Sequence, residues 1–67
     1  MPLTALERKA QMVLKQVQQT ALAEELGVTQ SHISQVLSGD RRSPRVERAI
    51  ADAFGMPVEQ VFETEAA

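Results

Sequence analysis

The sequence has no cysteine, no tryptophan and no tyrosine, and two phenylalanines make up its aromatic content. Without thiols it can form neither a disulfide nor a thiolate metal site. The single histidine, His32, excludes an imidazole cluster for zinc, and a Ser–His catalytic pair would have to use that residue alone. Glu24 and Glu25 are adjacent, so they diverge on a helix and make no acid–base pair. Phe54 and Phe62 are too few for the stacking platforms on which single strands and RNA bases lie. No apolar run approaches the ~20 residues that span a bilayer, and no signal-peptide pattern is present. These absences predict a soluble, cytoplasmic module with no enzymatic activity, cofactor, metal, membrane contact or small-molecule ligand.

What remains is 67 residues of which 43% are hydrophobic. That is enough for one compact core and too much for a disordered chain, so a single domain over residues 1–67 is expected. The net charge is −2, which argues mildly against a nucleic-acid partner. Its distribution argues the other way. Between Val28 and Val46 stand Arg41, Arg42 and Arg45 against Asp40 alone, whereas the rest of the chain is acidic.

Apolar residues recur at helical spacing and nowhere alternate as in a strand. In a first helix, Leu3, Leu6, Ala10, Val13, Leu14 and Val17 form the stripe expected to face the core, and Met12 falls off it and is expected to be exposed. Thr4 and Glu7 fit a capping box at its start. A second helix from Gln19 to Leu26 turns Leu22, Ala23 and Leu26 inward and ends at Gly27. Thr29 caps a third, anchored by Ile33, Val36 and Leu37 and stopped by Gly39. After the polar loop Asp40-Arg41-Arg42, Ser43 and Pro44 read as the cap and first residue of a fourth helix. Its inward residues are Val46, Ala49, Ile50, Ala53 and Phe54. Gly55 ends it, Pro57 opens a short fifth helix with Val58, Val61 and Phe62, and residues 63–67 read as a frayed tail.

The segment from Gln19 to Ser38 holds two helices joined by only Gly27-Val28-Thr29, which forces a sharp change of direction. Ala23 is small where the helices approach, Gly27 is free to turn left-handed, and Val28 can plug the turn from behind. With Ile33, Val36 and Leu37 turned inward, Ser31, Gln35 and Ser38 point outward, Ser34 lies to one side and Gln30 stands at the tip. Amides and hydroxyls on such a face can donate to and accept from base edges.

In these residues the sequence resembles the helix-turn-helix family of the lambdoid phage repressors and Cro proteins. The likeness runs from Gln19 through Phe62. It covers the Gln19 start, the Ala23/Gly27/Val28/Ile33 framework, the Gly39 loop, Pro44, and the ending Ala53-Phe54-Gly55-Met56-Pro57-Val58. The resemblance implies an all-α, five-helix, lambda-repressor-like domain whose third helix enters the major groove of double-stranded DNA. It implies base-facing roles for Thr29, Gln30, Ser31, Ser34 and Gln35, and phosphate contacts at Gln19, Ser38, Arg41, Arg42 and Arg45. His32 falls on the rim of that face. It also implies a short, Cro-like transcriptional repressor that blocks an operator as a homodimer, with Met56, Val58, Val61 and Phe62 at the subunit contact. Two departures stand out. Asp40 occupies a loop position that is often basic in the family, and Leu37-Ser38 replaces a commoner Glu-containing pair before Gly39. Against the long repressors of the family, the cleavable oligomerisation domain is expected to be missing. A protein–protein or antitoxin-like adaptor on the same fold remains the alternative.

Overall fold

The structure, a computed structural model, describes residues 2–62; the expected tail at residues 63–67 lies outside them. Five helices follow one another: α1 (Ala5–Leu14), α2 (Gln19–Leu26), α3 (Gln30–Ser38), α4 (Pro44–Phe54) and α5 (Val58–Val61). No strand occurs among the described residues, and none of these helices is long and apolar enough to cross a membrane. The all-α, five-helix expectation therefore holds.

The helix boundaries follow the local chemistry. Thr4 and Glu7 close a reciprocal capping box: Thr4 Oγ1 accepts from the Glu7 N–H at 3.1 Å, and Glu7 Oε1 accepts from the Thr4 N–H at 2.9 Å. Gly27 ends α2 at φ +70°, a conformation that costs a side-chain-bearing residue about 1–2 kcal/mol. Thr29 Oγ1 accepts from the His32 N–H at 3.1 Å and starts α3. At α4, Pro44 takes the first turn as expected, but Ser43 makes no side-chain cap. The carboxylate of Glu47 replaces it, with Oε2 accepting from the Ser43 N–H and from Arg42 Nε, each at 3.1 Å.

α3 lies at the centre, packed on α1, α2 and α4, and its Ile33, Val36 and Leu37 are fully buried. Met12, Leu22, Ala23, Val46, Ile50, Ala51, Phe54, Val61 and Phe62 complete the core. Three expectations are corrected here. First, α1 is turned round: Leu6, Val13 and Leu14 are 79%, 77% and 72% exposed, and Met12 is buried. The inner face of α1 instead carries Arg8, only 7% exposed. Its Nε donates to the Leu37 carbonyl at 2.7 Å, and its Nη1 donates to the carbonyls of Leu3 at 2.7 Å and Val61 at 3.1 Å. Leu37 and Val61 stand at the ends of α3 and α5, where carbonyls lack helical partners and a cation is favoured. The guanidinium also lies 4.8 Å over the Phe62 ring. Burial lowers the Arg8 pKa, and the negative charge of Glu47 pushes it back up.

Second, the inner face of α4 keeps the expected Val46, Ile50 and Phe54 but is rotated about them. Glu47 and Ala51 are buried, while Ala49 is half-buried and Ala53 exposed. Third, the residues expected at the subunit contact are taken up by the core. Val61 and Phe62 are buried inside it, and Met56 and Val58 pack against it half-buried. A dimer contact through Val61 or Phe62 would require opening the core of the domain.

Candidate nucleic-acid interface

The face of α3 that could meet a ligand is defined by what its opposite side does. With Ile33, Val36 and Leu37 inward, helical periodicity leaves Gln30, Ser31 and Gln35 exposed on the outer side. Thr29 is also exposed, but its hydroxyl oxygen is engaged as the N-cap, so its O–H remains as a donor. Ser34 is half-buried. Ser38, read from sequence as pointing outward, is half-buried, and its hydroxyl donates to the Ser34 carbonyl at 3.0 Å. His32 sits at the rim, half-buried, with its Nε2 atom buried and unpartnered among the described residues. The exposed groups of α3 are thus uncharged amides and hydroxyls that both donate and accept.

The residues expected to hold phosphates are not gathered in one place. Ser38, Arg41 and Arg42 border an open groove of about 380 Å³ between the α3–α4 loop and the start of α1, with Arg8 and Glu47 also lining it. Arg45 is directed elsewhere, its Nη2 donating to the Leu26 carbonyl at 2.7 Å and so capping the end of α2. Gln19 lies on another hollow, beside Lys9, Met12, Val13 and Val17. Of the three loop-side arginines, Arg42 is drawn onto Glu47 and Arg45 onto α2. Arg41 is exposed and takes part in neither contact.

Sequence reading missed the ionic frame behind this face. Arg8 ties the end of α3 to α1 and α5, and Glu47 orders the loop that carries Arg41 and Arg42. A signal existed in the four-residue spacing of Arg8 and Met12, which places them on one face of α1. For a metal the chain offers little: no group of three or more His, Asp or Glu side chains is placed to hold one among the described residues.

Comparison with known proteins adds one finding. A family model described as helix-turn-helix matches residues 9–61, from within α1 to the end of α5. No curated protein and no solved structure matches the chain.

Proposed function

The chain belongs to the helix-turn-helix family, and from that premise we propose that it is a Cro-like repressor that occludes a promoter by binding a DNA operator as a homodimer. The family is one of DNA-binding transcriptional regulators with a lambda-repressor-like, five-helix fold and is not typically enzymatic. The observation that carries the finer reading is the division of α3 into a fully buried side and an exposed amide-and-hydroxyl side. The buried side fixes the helix rigidly on α1, α2 and α4. The exposed side is then a preorganised surface for the major groove.

In this reading Gln30 and Gln35 recognise bases, since a glutamine amide can bridge N6 and N7 of adenine. Thr29, Ser31 and Ser34 add hydroxyls along the same groove. Arg41 supplies the most available phosphate contact of the loop, with Arg42, Arg45, Gln19 and Ser38 contributing whatever hydrogen-bonding capacity their internal contacts leave. Repression by occlusion needs no surface beyond the DNA-binding one. One short reading helix covers too few base pairs to find a single site among many. Two copies on a two-fold site double that readout when their helices lie about 34 Å apart.

The internal use of Arg42 and Arg45, together with the net charge of −2, favours a second reading as a protein–protein or antitoxin-like adaptor. Selection of bound sites from a random DNA pool separates the two. An enriched palindrome protected by the protein supports the operator reading. No enrichment, with no electrophoretic shift of random genomic fragments, supports the adaptor.

A further inference from the structure

Glu47 is an acid buried where the DNA-binding reading has no use for one. Its side chain is 4% exposed, and it stands in the first turn of α4, next to the loop that carries Arg41 and Arg42. Its Oε2 accepts from the Ser43 N–H and from Arg42 Nε, each at 3.1 Å. Among the described residues this is the one ion pair. The Arg42 side chain is 56% exposed. An arginine so open to solvent could meet a phosphate, but this one is tethered.

We propose that Glu47 acts as an internal stand-in for a DNA phosphate. It occupies Arg42 and thereby sets how tightly, and with what salt dependence, the domain holds DNA. The proposal deepens the DNA-binding reading and rests on it, but on neither the base-reading set nor the homodimer. A carboxylate offers a guanidinium the same kind of charge-assisted acceptor that a phosphate does. Three features hold Glu47 in place independently of Arg42. The Ser43 N–H donates to it, and the first turn of α4 favours a negative charge. The buried guanidinium of Arg8 lines the same groove and attracts it.

The carboxylate therefore cannot follow Arg42 outward, and moving Arg42 onto DNA would strip a partner from a buried charge. The Nη groups of Arg42 make no hydrogen bond among the described residues and could still touch a phosphate. The pair to which they belong is electrically neutral, however. Binding driven by released counterions follows the charge brought to the backbone, so a neutral pair adds little. Arg41 is the contrast on the same loop, exposed and outside the ion pair. The loop thus offers one working cation where its sequence shows two. Retention on random DNA is kept low, and residence on a site is left to the contacts made with bases.

The test is binding of a fluorescently labelled random-sequence duplex, followed by anisotropy from about 50 to 200 mM potassium chloride. Glu47→Gln keeps an acceptor for the Ser43 N–H and removes the charge, so Arg42 is released. It should bind about tenfold tighter than wild type at the lowest salt, and its slope of log K against log salt should steepen by about 1. The Arg42→Ala/Glu47→Gln chain should lose both gains. Glu59→Gln, which removes an exposed acid from α5, should reproduce neither. Tighter binding by the double variant, or by Glu59→Gln to the same degree, assigns the gain to net charge and overturns the proposal. Weaker binding by a folded Glu47→Gln, checked by circular dichroism, overturns it too and makes Glu47 a support that aims Arg42 at DNA. If Glu47→Gln does not fold, the arginines decide. Arg42→Ala should then lower the slope by less than half as much as Arg41→Ala, and an equal loss overturns the proposal. A wild type that binds no duplex at any salt ends the DNA-binding reading and the proposal with it. Every other outcome leaves that reading standing.

Discussion

α1 and α3 both carry apolar residues at helical spacing, and they use them in opposite ways. The stripe of α3 is buried completely, whereas most of the stripe of α1 stands in solvent and a charged residue faces the core. The difference is not hydrophobicity but hydrogen bonding. Turning α1 to bury Leu6, Val13 and Leu14 would carry Arg8 into water and strip donors from the Leu37 and Val61 carbonyls. A buried carbonyl left unpaired costs about 1–3 kcal/mol. Arg8 satisfies three at once while its own charge is offset by nearby Glu47 and the Phe62 ring. Apolar periodicity therefore identifies a helix, but the unpaired groups of its neighbours help decide which face turns inward.

The largest expected effect breaks this comparison at Arg8. Arg8→Met keeps length and adds apolar character, yet leaves three carbonyls without their donor, while Glu47 retains its ion pair with Arg42. With each buried carbonyl left unpaired costing about 1–3 kcal/mol, the change should cost about 3 kcal/mol or more, read by urea denaturation. Lysine should not rescue it, because one ammonium cannot reproduce the planar fork that serves both helix ends. A loss below about 1 kcal/mol would show that the apolar stripe, not the guanidinium, sets the orientation of α1.

Next comes a matched pair of leucines. Leu37→Ala removes a fully buried side chain from α3 and should cost about 2–5 kcal/mol. Leu14→Ala removes one that is 72% exposed and should change monomer stability by no more than about 0.5 kcal/mol. Sequence periodicity ranks the two equally; thermal denaturation at low protein concentration, where the monomer prevails, should not.

Much of the fold was legible because its signals are local. The Thr4–Glu7 capping box, the Thr29 cap, Pro44 and the three glycine stops each act within a few residues, and each appears where the sequence placed it. The core of α2 and α3 was also legible, since no charge competes for those faces. Arg8 escaped because its partners lie elsewhere: Leu37 and Val61 are 29 and 53 residues away. Glu47 escaped for another reason, since its partners Arg42 and Ser43 are near in sequence and Ser43 reads there as the cap whose place its carboxylate takes. Pattern reading assigns a charged residue to solvent unless the distant group it satisfies is known. The same blindness hid Arg45, whose acceptor on Leu26 is 19 residues away. The outward set on α3 followed from its inward set, except at Ser38, where a local hydrogen bond to Ser34 draws the hydroxyl back to the helix.

Smaller again are the effects expected on the outer face of α3, where the comparison is between function and stability. Gln30→Ala and Gln35→Ala should each weaken binding to the selected site by roughly 1–3 kcal/mol and relax preference at particular base pairs. Both side chains are exposed, so melting temperatures should barely move. Arg41→Ala should instead weaken selected and random DNA alike and lower the salt slope by about 1. Wild-type affinity in both glutamine variants would remove the base-reading assignment.

The smallest effect concerns how α1 and α2 end. α2 stops at Gly27 with φ +70°, but after α1 the left-handed position falls on Gln16, with φ +56°. The hydrogen bonds are of one kind: Val17 N–H reaches the Met12 carbonyl at 2.9 Å, and Val28 N–H reaches the Ala23 carbonyl at 2.9 Å. With no glycine to mark the turn, the sequence predicts an apolar stripe running on to Val17, whereas the helix ends at Leu14. Left-handed backbone costs a residue with a side chain about 1–2 kcal/mol, and glycine removes that strain. Glycine also loosens the unfolded chain, which returns about 0.4–1 kcal/mol of the gain. Gln16→Gly should therefore stabilise the domain by about 0.5 kcal/mol, and Gly27→Ala should destabilise it by about 1 kcal/mol or less. An added Cβ at Gly27 meets no atom within 4 Å, so its effect reports backbone strain and not a clash. Opposite signs in the two denaturation midpoints are the expected result. A stabilising Gly27→Ala would mean that the turn between α2 and α3 can relax out of the left-handed region, and α3 would then not be held rigidly against α2.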